Sequence, residues 1–167
     1  MSSKVVIRPA TSADVPAITE IYRYHVLQGS GSFEIAPPDE EEVAKRLEEI
    51  ARRGLPWLVA EAGGVVAGYA YAGLFRAREA YRFTLEDSIY VRPEAMGQGV
   101  GRLLLEKLIE ACRNSGYKQL IALIGDSNNV GSIRVHEVCG FRHVGVLKDV
   151  GIKSDRWLDV VMMQLEL

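Results

Sequence analysis

The chain has 167 residues, of which 48% are hydrophobic and 25% charged, and its formal net charge is −2. Those values suit a single globular domain over 1–167 that can bury about two-thirds of its unfolded surface, and with no basic block longer than Arg52-Arg53 a nucleic-acid footprint is excluded. No apolar run approaches the ~20 residues of a membrane span, and Met1-Ser2-Ser3-Lys4 opens no apolar signal core, so we expect a cytoplasmic protein whose partner is a small molecule.

The elements follow in chain order. A strand is expected over 4–9, then a helix over 13–28 with Thr11 and Asp14 as its cap and capping acid, and Ile18, Ile21 and Tyr22 as its apolar stripe. A loop covers 29–38. Asp39 then caps a helix with an acidic start and a basic end, closing at Arg53 before Gly54. Apolar runs at 57–62 and 65–75 flank Gly63-Gly64, the signature of a β-hairpin. A strand at 83–91 feeds a glycine-rich turn and a helix to 115, and another strand covers 119–124. A helix over 129–138 closes at Gly140, and strands at 141–150 and 157–165 are joined by a turn over 151–155. Hairpins mixed with helices predict an α/β (α+β) fold: a mixed, largely antiparallel sheet with helices on both faces.

Gly97, Gly99 and Gly101 stand at every second position where the strand ending Ile89-Tyr90-Val91 gives way to an apolar helix. Such a turn leaves successive backbone N–H groups uncovered at a helix N-terminus, where the macrodipole favours phosphate. Two common nucleotide loops are excluded, because Arg102 stands where a dinucleotide fingerprint needs glycine and no Gly-Lys-Ser/Thr follows. A plain strand-to-helix connection remains the alternative for the glycines taken alone. Cys112 and Cys139 match no metal or disulfide spacing and read as buried thiols.

The run Gly97-Gln98-Gly99-Val100-Gly101-Arg102, followed by Asn129, Ser132, His136 and Gly140-Phe141, resembles the GCN5-related N-acetyltransferase (GNAT) superfamily. More narrowly, the chain is similar to its phosphinothricin and methionine sulfoximine acetyltransferase branch from Ile7-Arg8-Pro9-Ala10 to the last strand. Phe33-Glu34, the stretch Thr84-Leu85-Glu86-Asp87-Ser88-Ile89-Tyr90-Val91, Ser132-Ile133-Arg134-Val135-His136-Glu137 and Arg156-Trp157-Leu158-Asp159 carry the likeness. The resemblance implies a GNAT-like sheet of about seven strands, acetyl-CoA as co-substrate with no metal, and a small amine acceptor. It implies that Ile89, Tyr90 and Val91 bind the pantetheine arm as an added strand would, that the N–H groups of 97–102 take the pyrophosphate, and that Asn129 and Ser132 line the coenzyme arm. Asn129 reads equally as a helix N-cap. Met96 departs from the family, which usually has Arg or Gln there; backbone donors remain, so weaker coenzyme binding is implied.

Acetyl transfer to an amine needs the amine unprotonated. A lysine-like amine of pKa near 10.4 is neutral about once in 2,500 molecules at pH 7, a deficit of about 4.6 kcal/mol. Alternation along 83–91 puts Thr84, Glu86, Ser88 and Tyr90 on one face, and the resemblance makes Glu86 the candidate general base. His136 occupies the position where many family members carry a tyrosine proposed to protonate the leaving thiolate. Imidazole also suits a base role, so the two assignments stay open, as does a satisfied core histidine. His25 and His143 match no motif with chemistry.

An amino-acid-like acceptor requires cations for its α-carboxylate. Arg76 and Arg78 offer guanidinium forks beside the strand carrying Glu86, and the resemblance places acceptor contacts there and at Glu86, Asp87 and Ser88. Phe33, Lys153 and Trp157 are candidate pocket walls. By analogy with related enzymes a homodimer is expected. Competing readings are an acetyltransferase for a peptide N-terminus or polyamine, and a non-catalytic acyl-CoA binding module; Arg76 with Arg78 argues against a polyamine site, and Glu86 against a non-catalytic one.

Overall fold

The computed structural model describes residues 4–167, so the Met1-Ser2-Ser3 start lies outside the described residues. In chain order come β1 (Val5–Pro9), α1 (Val15–Gln28), α2 (Glu40–Arg52), β2 (Trp57–Ala62), β3 (Val65–Leu74) and β4 (Thr84–Val91). They are followed by α3 (Val100–Asn114), β5 (Gln119–Gly125), α4 (Val130–Val138), β6 (Arg142–Lys153) and β7 (Arg156–Glu166). The strands form one 7-stranded sheet in the order β1-β2-β3-β4-β5-β7-β6, and β4 with β5 is its parallel pair. The expected mixed, largely antiparallel sheet is therefore present.

Helices cover both faces. On one, Val15, Ile18 and Ile21 of α1 and Val43 of α2 pack on Trp57, Val59 and Tyr69. On the other, Leu104, Leu105, Leu108 and Cys112 of α3 pack on Leu85, Leu120, Ala122 and Met163, with Ile133 and Val135 of α4 beside them. Each fully buried leucine contributes roughly 1.5–3 kcal/mol. Asp39 caps α2 as expected, its Oδ1 accepting the Glu42 N–H at 2.9 Å.

Some details differ from the sequence reading. The segment before α1 is a 3₁₀ turn, Ser12–Asp14, so the α-helix starts at Val15. Asp14 is drawn two ways: its Oδ2 accepts the Thr11 N–H at 2.8 Å while the Arg8 fork binds both its oxygens at 2.8 Å. The β6–β7 turn is shorter than 151–155, because Ser154 and Asp155 both take positive φ, 50° and 57°, and close the hairpin as a two-residue turn. Gly151 has another use: a Cβ there would stand 2.5 Å from Cε2 of Phe33. Cys112 is buried, but Cys139, the C-cap residue that follows α4, is only half-buried.

One topological feature makes the site. β4 stays paired with β3 along its length, from Leu74↔Leu85 to Gly68↔Val91, but pairs with β5 only at Thr84↔Gln119, Leu85↔Leu120 and Glu86↔Ile121. Beyond Glu86 the strands part. The sheet thus forks, and residues 87–91 of β4, paired with β3 on one edge, face the gap with no strand on the β5 side.

Candidate active site

The fork opens into a cavity of about 1070 Å³ whose wall includes Ile89, Tyr90 and Val91 of β4, Ile121 to Gly125 of β5, and the first turns of α3 and α4. At its mouth Gly97 and Gly99 both have positive φ, 72° and 83°, a conformation side chains resist, and Gly99 is the N-cap of α3. Gly97, Gly99, Val100, Gly101 and Arg102 all reach the cavity, whereas Gln98 turns away and donates from Nε2 to the Glu94 carbonyl at 2.7 Å. An open strand edge continuing into a glycine-built helix N-terminus fits a long amide-bearing arm ending in a pyrophosphate, as acetyl-CoA has.

Asn129 is the N-cap that its residue type suggested, and it stands in the cavity wall. Its Oδ1 caps α4 by accepting the Ser132 N–H at 3.4 Å, and it lines the cavity together with Ser132. His25, which no motif singled out, also lines the cavity: its Nε2 bonds the Val91 carbonyl at 2.8 Å and takes up one of that oxygen's two acceptor sites. Burial holds the His25 imidazole below its ordinary pKa.

At the fork, adjacent residues put a carboxylate on each face of β4. Glu86 faces the α1/α2 side, half-buried in the cavity wall, with no hydrogen-bond partner among the described residues. Burial raises its pKa and the neighbouring Asp87 charge adds to this, while the Arg76 guanidinium opposes both. Asp87 points to the α3/α4 side, where its Oδ2 meets His136 Nε2 at 2.7 Å. The pleat therefore separates Asp87 from Glu86 and Ser88, with which the sequence reading grouped it.

His136 is 3% exposed and both of its nitrogens are engaged. Nδ1–H donates to the Ser132 carbonyl at 2.7 Å, so the tautomer is set, and a proton shared by Nε2 and the carboxylate completes the pair. Burial alone would lower the imidazole pKa, but the Asp87 charge and these two bonds carry it above its ordinary value. A histidine so held already has its proton. Its two nitrogens face the Ser132 carbonyl and the Asp87 carboxylate, whereas the Glu86 carboxylate lies on the opposite face of β4.

The acceptor side is less complete than the sequence reading expected. Arg76 lines the cavity, anchored by Nη1 on the Phe75 carbonyl at 3.0 Å with its guanidinium 4.3 Å from the Phe75 ring. Arg78 is exposed outside the cavity wall, leading into a 3₁₀ turn at Glu79–Tyr81. Lys153 is not a free cation in the pocket: its Nζ donates to the Ser32 carbonyl at 2.7 Å, and burial lowers its pKa. Phe33 does wall the cavity, but Trp157 is exposed outside it. Burial pushes the Cys112 thiol up to about 12, which removes it as a nucleophile.

The acetyltransferase (GNAT) family model matches residues 18–141. The chain is 52% identical to the phosphinothricin N-acetyltransferase of Alcaligenes faecalis over 161 residues, covering 96% of this chain and 82% of that one. It is 41% identical to the L-methionine sulfoximine/L-methionine sulfone acetyltransferase of Salmonella typhimurium, covering 96% and 94%. A crystal structure of a GNAT superfamily phosphinothricin acetyltransferase from Sinorhizobium meliloti in complex with AcCoA superposes with a TM-score of 0.95 at 46% identity, covering 98% of this chain and 88% of that chain. With the forked sheet, the glycine turn and the cavity between them, these likenesses establish that the chain belongs to the GNAT acetyltransferase family.

Proposed function

We propose that this enzyme N-acetylates the α-amine of a small amino-acid-like acceptor of the phosphinothricin, methionine sulfoximine or methionine sulfone type. Acetyl-CoA supplies the acyl group as a thioester. The observation that carries the reading is the unpartnered Glu86 carboxylate in the cavity wall at the fork, with Arg76 beside it. A carboxylate made more basic by burial accepts the amine proton, directly or through one water, as the C–N bond forms and the C–S bond breaks. Arg76 would hold the acceptor carboxylate, an arrangement that favours an amino acid over a polyamine. Backbone groups of Ile89, Tyr90 and Val91, with Asn129 and Ser132, hold the pantetheine arm, and the N–H groups of 97–102 hold the pyrophosphate. His136, expected to exchange a proton, has both nitrogens committed to Ser132 and Asp87, so in this reading it fixes the α4 wall against β4 and the leaving thiolate takes its proton from solvent.

A homodimer is part of this proposal. Val146, Val150 and Ile152 of the edge strand β6 are each 47–55% exposed and lie outside the cavity lining, apolar side chains that a second copy would cover. Light scattering on wild type and Val146→Lys tests it, with a mass near twice the chain expected for wild type alone. The function is tested by CoA release with methionine sulfone, methionine sulfoximine, phosphinothricin, spermidine and an alanyl peptide. Turnover confined to the first three supports the reading; turnover of spermidine or peptide alone overturns it.

A further inference from the structure

The turn between β5 and α4 holds a residue in which every polar atom is committed. Asp126 has φ 72° and is 7% exposed. Its N–H donates to the Asp159 carbonyl at 2.9 Å and its own carbonyl accepts the Asn129 N–H at 3.0 Å. Oδ1 accepts the Asn128 N–H at 2.9 Å, and Oδ2 accepts the Ser30 hydroxyl at 2.6 Å and Arg156 Nη2 at 3.4 Å. Neither the mechanism nor any motif uses this carboxylate, yet it joins three segments distant in sequence.

Ser30 belongs to the strap between α1 and α2, residues 29–39, which walls the cavity on the acceptor side with Phe33. The strap is seated on bare backbone: a Cβ at Gly125 would lie 2.7 Å from the Ser30 carbonyl oxygen and 2.8 Å from Phe33 Cε1, and one at Gly151 would meet the same ring. It also passes over the coenzyme side, since a Cβ at Gly31 would stand 3.3 Å from Asn129 Nδ2. Lys153 and Tyr22 hold its middle through the Ser32 carbonyl and hydroxyl at 2.7 and 2.8 Å. Among the described residues, the Ser30 hydroxyl makes the one hydrogen bond from the strap to the turn that carries Asn129.

We infer that Asp126 is a positioning residue that couples the two substrate sites, latching the acceptor-side strap to the coenzyme-side turn so that filling the coenzyme site orders the wall of the acceptor site. The inference rests on the assignment of the two sites given above. Its logic is linkage: a ligand that orders the 126–132 turn also orders what is bonded to it, so a second ligand using the strap loses less conformational freedom on binding. By reciprocity the acceptor must favour the coenzyme by the same factor. The hydrogen bond from Ser30, followed by that from the Asn128 N–H, keeps the carboxylate below its ordinary pKa, so the latch stays ionised at neutral pH.

The experiment reads the strap without needing turnover. Amide hydrogen exchange over 30–36 is followed with and without saturating CoA in wild type, Ser30→Ala and Ser30→Thr, with α3 amides as the control for global stability. CoA should slow strap exchange about fivefold or more in wild type, an effect of ordinary coupling size. It should leave Ser30→Ala unchanged and recover in Ser30→Thr, which keeps the hydroxyl. The affinity of methionine sulfone, measured by calorimetry with and without CoA, should show the same pattern, while CoA binding alone stays within about twofold. Equal CoA protection of the strap in wild type and Ser30→Ala, or none in wild type, overturns the inference. If strap protection behaves as expected but methionine sulfone neither binds nor is acetylated, the acceptor assignment fails and the coupling stands.

Discussion

Replacing Asp87 by Asn removes the charge that His136 faces while keeping the shape and one hydrogen-bonding atom. The pair is buried, with side chains 4% and 1% exposed at His136 and Asp87, and breaking a buried pair by removing one partner costs about 3–5 kcal/mol. Because Asn retains a hydrogen bond we expect about 3 kcal/mol in mild acid, about 6–12 °C in Tm for a chain of this size. The pH dependence is the sharper test. In wild type the His136 pKa lies above its ordinary value of 6.5, so the stability it contributes is fully present below pH 6.5 and is lost as pH rises through the folded value. In Asp87→Asn burial acts with little to oppose it. The folded pKa drops below 6.5, and the variant instead loses stability as pH falls through 6.5, where the unfolded chain takes up a proton. Each slope is limited to about 1.4 kcal/mol per pH unit. Urea unfolding of both proteins at pH 5.5, 6.5, 7.5 and 8.5 measures the gap, which should be widest in acid and narrow as pH rises. A gap constant across that range would refute the claim that Asp87 keeps a proton on His136.

Two further predictions concern the acceptor side. Gly151→Ala puts a Cβ 2.5 Å from the Phe33 ring in backbone that is not left-handed, so the cost is crowding, about 1–3 kcal/mol; acceptor KM should rise severalfold with CoA affinity unchanged, and equal changes in both would refute the role of the ring as acceptor wall. Arg76→Ala removes the cation that opposes the upward shift of Glu86, so the acid limb of the kcat/KM profile should move to higher pH as acceptor KM rises. A limb that does not move would separate Arg76 from the base.

Features set by local sequence were legible in advance. Gly63-Gly64 closes the β2–β3 hairpin, Asp39 caps α2, and the glycine turn after Val91 forms the mouth of the cavity. Period-two alternation correctly put Glu86, Ser88 and Tyr90 on one face and, followed through, would have assigned Asp87 to the other. What stayed hidden depends on contacts across long sequence separations: His25 on Val91, Ser30 on Asp126, Lys153 on Ser32. Asp126-Ser127-Asn128-Asn129 is a run of turn-forming residues, and that signal marks a turn without saying what lands on it. The Ser154-Asp155 turn lacked the glycine that usually betrays such a bend.

The central claim is that Glu86 takes the amine proton, and Glu86→Gln tests it with near-identical shape. CoA release with saturating acetyl-CoA and methionine sulfone should fall about 10²–10⁴-fold, with acetyl-CoA affinity by calorimetry unchanged. Wild-type turnover by Glu86→Gln at every pH from 6 to 9 would contradict the account.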